Sequence, residues 1–206
     1  MNFVNGVARA LVPVTLVATL AAAAPAASSG DLKLVEASLA ATQSLTADFL
    51  QTSGRGQQQV GTVQLKRPGK IRFTYKGVNA LMVADGRTLH YLDYDVGQHS
   101  KWSIDKTPLK PLLAANPDLS RIARIMPSDN AKVVVVRARD ARRPEFGTLV
   151  LAFLRTPNAP GGLRLEGWTA IDAQNKKTTI RLSNQRYNVA VPESAFTYTE
   201  PKRKKA

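Results

Sequence analysis

Between Lys66 and Gln98 the chain leaves few folds open. Lys66-Arg67-Pro68 interrupts two strand-like stretches, and Asp85-Gly86 separates an apolar run from one that carries aromatic residues. Ile71, Phe73 and Tyr75 alternate with Lys70, Arg72, Thr74 and Lys76. Leu45, Ala47 and Phe49 alternate in the same way with Thr46 and Asp48, and Val63 and Leu65 with Gln64 and Lys66. A period of two puts the apolar members on one face of an antiparallel sheet and leaves the other face wet. Gly54 to Gly56 and Asp85-Gly86 supply the tight turns of hairpins. Such a region describes the wall of an apolar container better than a catalytic centre.

Around it the pattern changes twice. Leu32, Val35 and Leu39 recur at three- and four-residue spacing, which predicts a helix from Asp31 to about Gln43, capped by Ser29 or Asp31. Between Thr107 and Met126 the spacing predicts two short helices, Pro108 to Ala115 and Asp118 to Ile125, kept short by Pro108, Pro111 and Pro117. Their apolar faces would be Leu109, Leu112, Leu113, Ile122 and Ile125. The strand pattern resumes at 132–139, 148–154, 163–171 and 178–182, with a turn at 173–176 joining the last two. Ten or eleven strands are expected in one curved antiparallel sheet, an α+β fold that is mostly β. A half-barrel covered by so few helices is hard to fill with side chains, which points to a cavity beneath them.

The ends carry other information. Arg9 is the only charge before Asp31, Ala10 to Ala24 is almost wholly small or apolar, and Ala24-Pro25-Ala26 follows. A basic start, a short apolar core and small residues at the cut predict a secretory signal peptide over 1–26, a domain over 27–201 and a basic tail over 202–206. The mature chain would keep a net charge of +13 of the +14, losing only Arg9. The chain has no cysteine, so it lacks the residue on which a bacterial lipoprotein carries its acyl groups. A soluble exported protein is expected, without affinity for nucleic acid, because the basic residues alternate with apolar ones along strands.

Catalytic chemistry finds little support. The only histidines, His90 and His99, lie in strand-turn sequence, and there is no Gly-x-Ser-x-Gly elbow, zinc spacing or phosphate-binding loop. Asp85 is best explained as a turn residue before Gly86. No enzyme activity, cofactor or metal is expected.

Taken in order, several segments resemble the periplasmic lipoprotein carrier family, the LolA-like proteins. They are Ala47-Asp48-Phe49-Leu50-Gln51, Gly61, the run from Leu65 through Arg67-Pro68-Gly69 to Tyr75, the run Val83 to Leu89, then Tyr91, Asp93, Gln98, Thr107-Pro108-Leu109 and Phe196-Thr197. The resemblance covers nearly the whole mature chain. It implies an incomplete antiparallel barrel under a helical lid, whose cavity shields the acyl chains of lipoproteins in the periplasm. It also implies a monomer that takes its cargo from an ATP-driven release complex of the inner membrane and gives it to an acceptor at the outer membrane.

On that reading Arg67 latches the lid, and Phe49, Ile71, Phe73, Tyr75, Leu81, Val83, Leu89, Tyr91, Leu109 and Leu112 form the acyl-chain cavity. The strand members of that set are expected to share one inward parity. The resemblance also places Ile71 and His90 where the family often has aromatic residues. Two other functions fit the same pattern: a regulatory module that senses lipid or misplaced lipoprotein, and a carrier of a different lipid. Magnitudes favour a passive shuttle. At about 0.8 kcal/mol per buried methylene, one sixteen-carbon chain is worth roughly 12 kcal/mol. Non-covalent affinities saturate near about −18 to −21 kcal/mol, so binding alone cannot extract a multiply acylated cargo.

Overall fold

The computed structural model describes residues 29–202; the leader expected over 1–26 and residues 203–206 of the basic tail lie outside the described residues. One helix, α1 (Ser29–Ala41), precedes six strands: β1 (Ser44–Ser53), β2 (Gln58–Lys66), β3 (Lys70–Tyr75), β4 (Ala80–Asp85), β5 (Thr88–Asp93) and β6 (Gln98–Ser103). A connection carrying a 3₁₀ turn at Ile104–Lys106 and the single-turn helix α2 (Lys110–Leu113) leads to β7 (Ala123–Met126). Four more strands follow: β8 (Val133–Ala138), β9 (Thr148–Arg155), β10 (Leu163–Ile171) and β11 (Lys177–Tyr187).

All eleven strands form one antiparallel sheet in the order β6-β5-β4-β3-β2-β1-β11-β10-β9-β8-β7. The two edges, β6 and β7, are consecutive in sequence. The connection 104–122 must therefore cross from one edge of the sheet to the other. It does so over the concave face, where Leu109, Leu112, Leu113 and Leu119 join the buried core with Val35 and Leu39 of α1. The lid is thus a strap tied at both ends by covalent chain. The helix expected over Asp118 to Ile125 is not formed. Asp118 closes a local turn on the Ser120 amide and hydroxyl, and Ala123 to Met126 pairs with Val135 to Ala138 as an edge strand. Pairing with β8 overrides a helical spacing that was only about two turns long.

The inward face is kept continuous by a bulge. Leu163 and Leu165 point into the core, and so do Trp168 and Ala170. An even period cannot join these two pairs, because Trp168 stands three positions after Leu165. The register shifts between Leu165 and Gly167 against β9, and this extra residue turns Trp168 inward. Gly167 has φ +151, and a Cβ there would lie 2.0 Å from the Ile180 carbonyl oxygen.

The convex face has a second cover. Residues 189–200 run back across β3 to β6, and Val191 and Phe196 pack on Leu81, Val83 and Leu92. This overturns the expected inward parity of Leu81 and Val83. Phe73 pairs with Met82 and Ile71 with Ala84, so Met82 and Ala84 face the concave side. Sequence could not show the parity of β4, because both of its faces are buried and Ala-Leu-Met-Val-Ala does not alternate.

Gly167→Ala is expected to destabilise the protein by about 1–3 kcal/mol, the range for a residue forced into sparsely allowed backbone. Trp168 should also become more accessible. Denaturant unfolding and acrylamide quenching of Trp168 in a Trp102→Phe background check both.

Candidate functional site

The concave face of β1, β3 and β10 carries a row of touching aromatic rings. Phe49 meets Phe73 edge-on with centroids 5.2 Å apart and Tyr75 at 5.5 Å, and Phe73 meets Trp168 at 6.1 Å. Tyr75 donates its hydroxyl to Gln51 Oε1 at 3.1 Å, and burial pushes its phenol above the ordinary tyrosine range, Tyr91 adding to the push.

Beside this row the sheet and the lid do not close. A cavity of about 560 Å³ remains, walled by Phe73, Met82, Leu89 and Trp102 on one side and by Trp168, Ala170 and Ile180 on the other. Lys106, Thr107, Pro108 and Leu109 of the lid roof it, and Glu145, Phe146, Asp172, Gln174 and Lys176 stand around it. Its inner wall is apolar and its charges come from the turns. Pro108 seats on Gly147, where φ is +79 and a Cβ would come within 3.0 Å of the proline ring.

Of the residues singled out in the sequence, Phe73, Leu89 and Leu109 line this cavity. Phe49, Ile71 and Leu112 lie in the packed core that continues from it. Tyr75 and Tyr91 share a smaller crevice of about 230 Å³ with Gln51 and Asp93. Leu81 and Val83 lie under the C-terminal segment on the opposite face. Sequence reasoning passed over Met82, Trp102, Trp168, Ala170, Ile180 and Phe146. Trp102 and Trp168, the only tryptophans, were the available signal, since both stand in strands and both reach the cavity.

Arg67 sits where the lid meets the barrel. It follows β2 and is only 7% exposed. Its Nε donates to the Thr42 carbonyl just after α1 at 2.7 Å, and its Nη1 donates to the Ala114 carbonyl just after α2 at 2.5 Å. The backbone repeats the tie: the Arg67 amide donates to Gln43 O and the Gly69 amide to Leu113 O, each at 2.9 Å. Burial lowers the guanidinium pKa to about 10, which leaves it charged at neutral pH. Further along the lid, the Leu119 amide donates to Glu36 Oε1 of α1 at 2.7 Å. Among the described residues no group of three or more His, Cys, Asp or Glu side chains could hold a metal, and no helix is long and apolar enough to cross a membrane.

The profile of the family described as "Outer membrane lipoprotein carrier protein LolA" matches residues 40–199. The chain belongs to the LolA family. An outer-membrane lipoprotein carrier protein of Chromobacterium violaceum is 28% identical over 204 residues, covering 93% of this chain and 95% of its own. One from Pseudomonas fluorescens is 28% identical over 205 residues, covering 94% and 95%. Among solved structures, a DUF1329 family protein from Desulfovibrio piger shares the fold. Its TM-score is 0.52 over 84% of this chain and 96% of its own, at 9% identity.

Arg67→Ala would leave the Thr42 and Ala114 carbonyls without their charged donor. Hydrogen bonds from a charged group are worth about 1.5–3 kcal/mol each. Amide exchange across 107–122 should accelerate by about 10- to 100-fold, with β1, β2 and β11 unchanged. Arg67→Lys should restore only part of the protection, because an ammonium cannot engage two carbonyls in a fixed fork. Unchanged exchange in Arg67→Ala would make Arg67 a plain turn residue.

Proposed function

We propose that this protein is a non-enzymatic periplasmic carrier that shields the acyl chains of lipoproteins beneath its lid on the way from the inner to the outer membrane. The single observation behind the reading is the apolar cavity of about 560 Å³ between the concave sheet and a lid tied to both sheet edges. Pockets of about 300–1,000 Å³ suit one drug-sized ligand, so the closed form has room for one acyl chain at most. The rest of the concave face is packed against Leu109, Leu112, Leu113 and Leu119. A cargo with further chains must displace these leucines and take their place on the sheet. Acyl methylenes replacing leucine side chains exchange one buried apolar contact for another. Opening therefore costs mainly the latch and the ordered lid, not the whole burial energy.

That exchange keeps the carrier reversible. Each buried methylene contributes about 0.8 kcal/mol, and a site that kept all of it for several chains would never release them. Extraction from a membrane needs a separate energy source, which on this reading is an ATP-driven complex of the inner membrane, with an acceptor at the outer membrane receiving the cargo. The domain so used is 27–201, working as a monomer, with Arg67 holding the lid shut between transfers.

Trp102 and Trp168 both wall the cavity, so entry of a chain has a built-in reporter. A diacylated peptide should shift tryptophan emission to the blue and displace bis-ANS from the folded mature protein. The same peptide without acyl groups should do neither. A probe that binds only after unfolding would contradict the cavity reading. Localisation has its own check: intact mass of the periplasmic form should lack residues 1–26 within a few residues. A mass retaining Met1 would contradict export in soluble form.

A further inference from the structure

We propose that a basic crevice beside the apolar cavity is the head-group site for a single-chain anionic lipid of the lysophospholipid class, bound with its chain in the cavity and its phosphate on Arg139 and Arg143. The proposal rests on the cavity reading above and adds a second ligand and a second site to it.

Four of the seven residues from Arg137 to Arg143 are arginines, a run that the carrier role alone does not employ. The end of β8 and the turn after it bring Arg139, Arg142 and Arg143 up to the lid, where with Lys110 they line a crevice of about 320 Å³. Thr107, Pro108 and Phe146 line both this crevice and the cavity of about 560 Å³, so the two are neighbours across one thin partition. The turn is held by its own backbone. The Arg139 amide donates to the Ile122 carbonyl at 2.7 Å, the Arg143 amide to the Asp140 carbonyl at 3.1 Å and the Phe146 amide to the Arg143 carbonyl at 3.1 Å. The Arg143 guanidinium lies over the Phe146 ring, 5.3 Å from its centroid. A positive charge is thereby seated on the partition itself.

Charge separates the two openings. At the rim of the cavity Lys106 and Lys176 are matched by Glu145 and Asp172. In the crevice four bases meet two acids, and both acids are already engaged. Asp105 pairs with Lys110 at 3.0 Å. Asp140 Oδ1 accepts the Arg142 amide at 2.9 Å and lies 3.6 Å from the Arg142 Nε. Among the described residues neither Arg139 nor Arg143 is paired with a carboxylate. Two arginine forks without an acid partner suit the paired oxygens of a phosphate, which a guanidinium engages with two parallel hydrogen bonds.

Size and reach choose the rest of the ligand. The closed cavity has room for one acyl chain, so a lipid with two chains enters only by displacing the lid leucines. The head group has to pass Pro108 and Phe146 to reach Arg143. In a lysophospholipid the glycerol between chain and phosphate supplies that reach. A fatty acid carries its carboxylate directly on the chain, which leaves the charge at the cavity rim, where bases and acids balance. The acylated cysteine of a lipoprotein carries no phosphate and leaves the crevice unused. The crevice therefore distinguishes a small anionic lipid from the protein cargo while both draw on the same cavity.

The test is titration of the mature protein with myristoyl-lysophosphatidylglycerol, monomyristoylglycerol and myristate, each kept monomeric, read by the emission of Trp102 and Trp168, which wall the cavity. The lysophospholipid should bind about tenfold more tightly than monomyristoylglycerol at low salt, the scale of one charge-assisted contact. That advantage should shrink as salt is raised. Arg139→Gln combined with Arg143→Gln should bring the lysophospholipid down to the affinity of monomyristoylglycerol, whose own binding stays unchanged because the cavity is intact. Equal affinity of the two in wild type, or an advantage that survives the double variant, would overturn the head-group site and leave the cavity reading standing. Myristate gaining as much from the arginines as the lysophospholipid would overturn the choice of head group. Failure of all three to bind would contradict the cavity itself.

Discussion

Arg67 is the point at which the barrel, the N-terminal helix and the lid are joined. A charged group taken out of water is costly unless hydrogen bonds replace its hydration. Here the replacements are two backbone carbonyls, of Thr42 and Ala114, left without helical partners where α1 and α2 end. The guanidinium fork answers both with one side chain, so the need of the charge and the need of the helix ends are met together. Loss of either side leaves the other unsatisfied.

Topology gives that contact its leverage. Because β6 and β7 are the edges of one sheet and neighbours in sequence, the lid is anchored at both ends and spans the concave opening. The sheet below it is apolar on its concave side, and the half formed by β3 to β6 is also covered on its convex side, under Val191 and Phe196. Burial on both faces stiffens that wall. The connection over the concave face carries one turn of α-helix and a few local turns, at Thr107, Ser120 and Ile122, a small share of the backbone pairing in the sheet.

Much of this was legible in the residues. The alternation of β1, β2 and β3 fixed their inward sets, and Leu163 to Ile171 was bounded as observed. The segments that matched the carrier family pointed to Arg67. Other features were not legible. The parity of β4 was hidden because the C-terminal segment buries its outer face, so Leu81 and Val83 looked no different from Met82 and Ala84. The bulge at Gly167 flips parity within an otherwise regular strand, which concealed Trp168 as part of the cavity wall. β7 was read as helix because four residues at a sheet edge take their structure from β8, not from local preference. Each failure arose from partners distant in sequence. The cavity's extent was hidden for the same reason, since it is set by how far the lid leucines fill the trough.

The central claim is that the lid moves as a unit when an acyl chain enters and that Arg67 sets its resting position. The absence of cysteine from the chain allows two spin labels to be placed cleanly, at Asn116→Cys on the lid and Thr62→Cys on the outer side of β2. Pulsed electron-electron distance measurement should give one narrow distribution without ligand. Saturating diacylated peptide should add a second, longer population, and Arg67→Ala should show that population with no ligand present. A distribution that saturating peptide leaves unchanged would contradict the account.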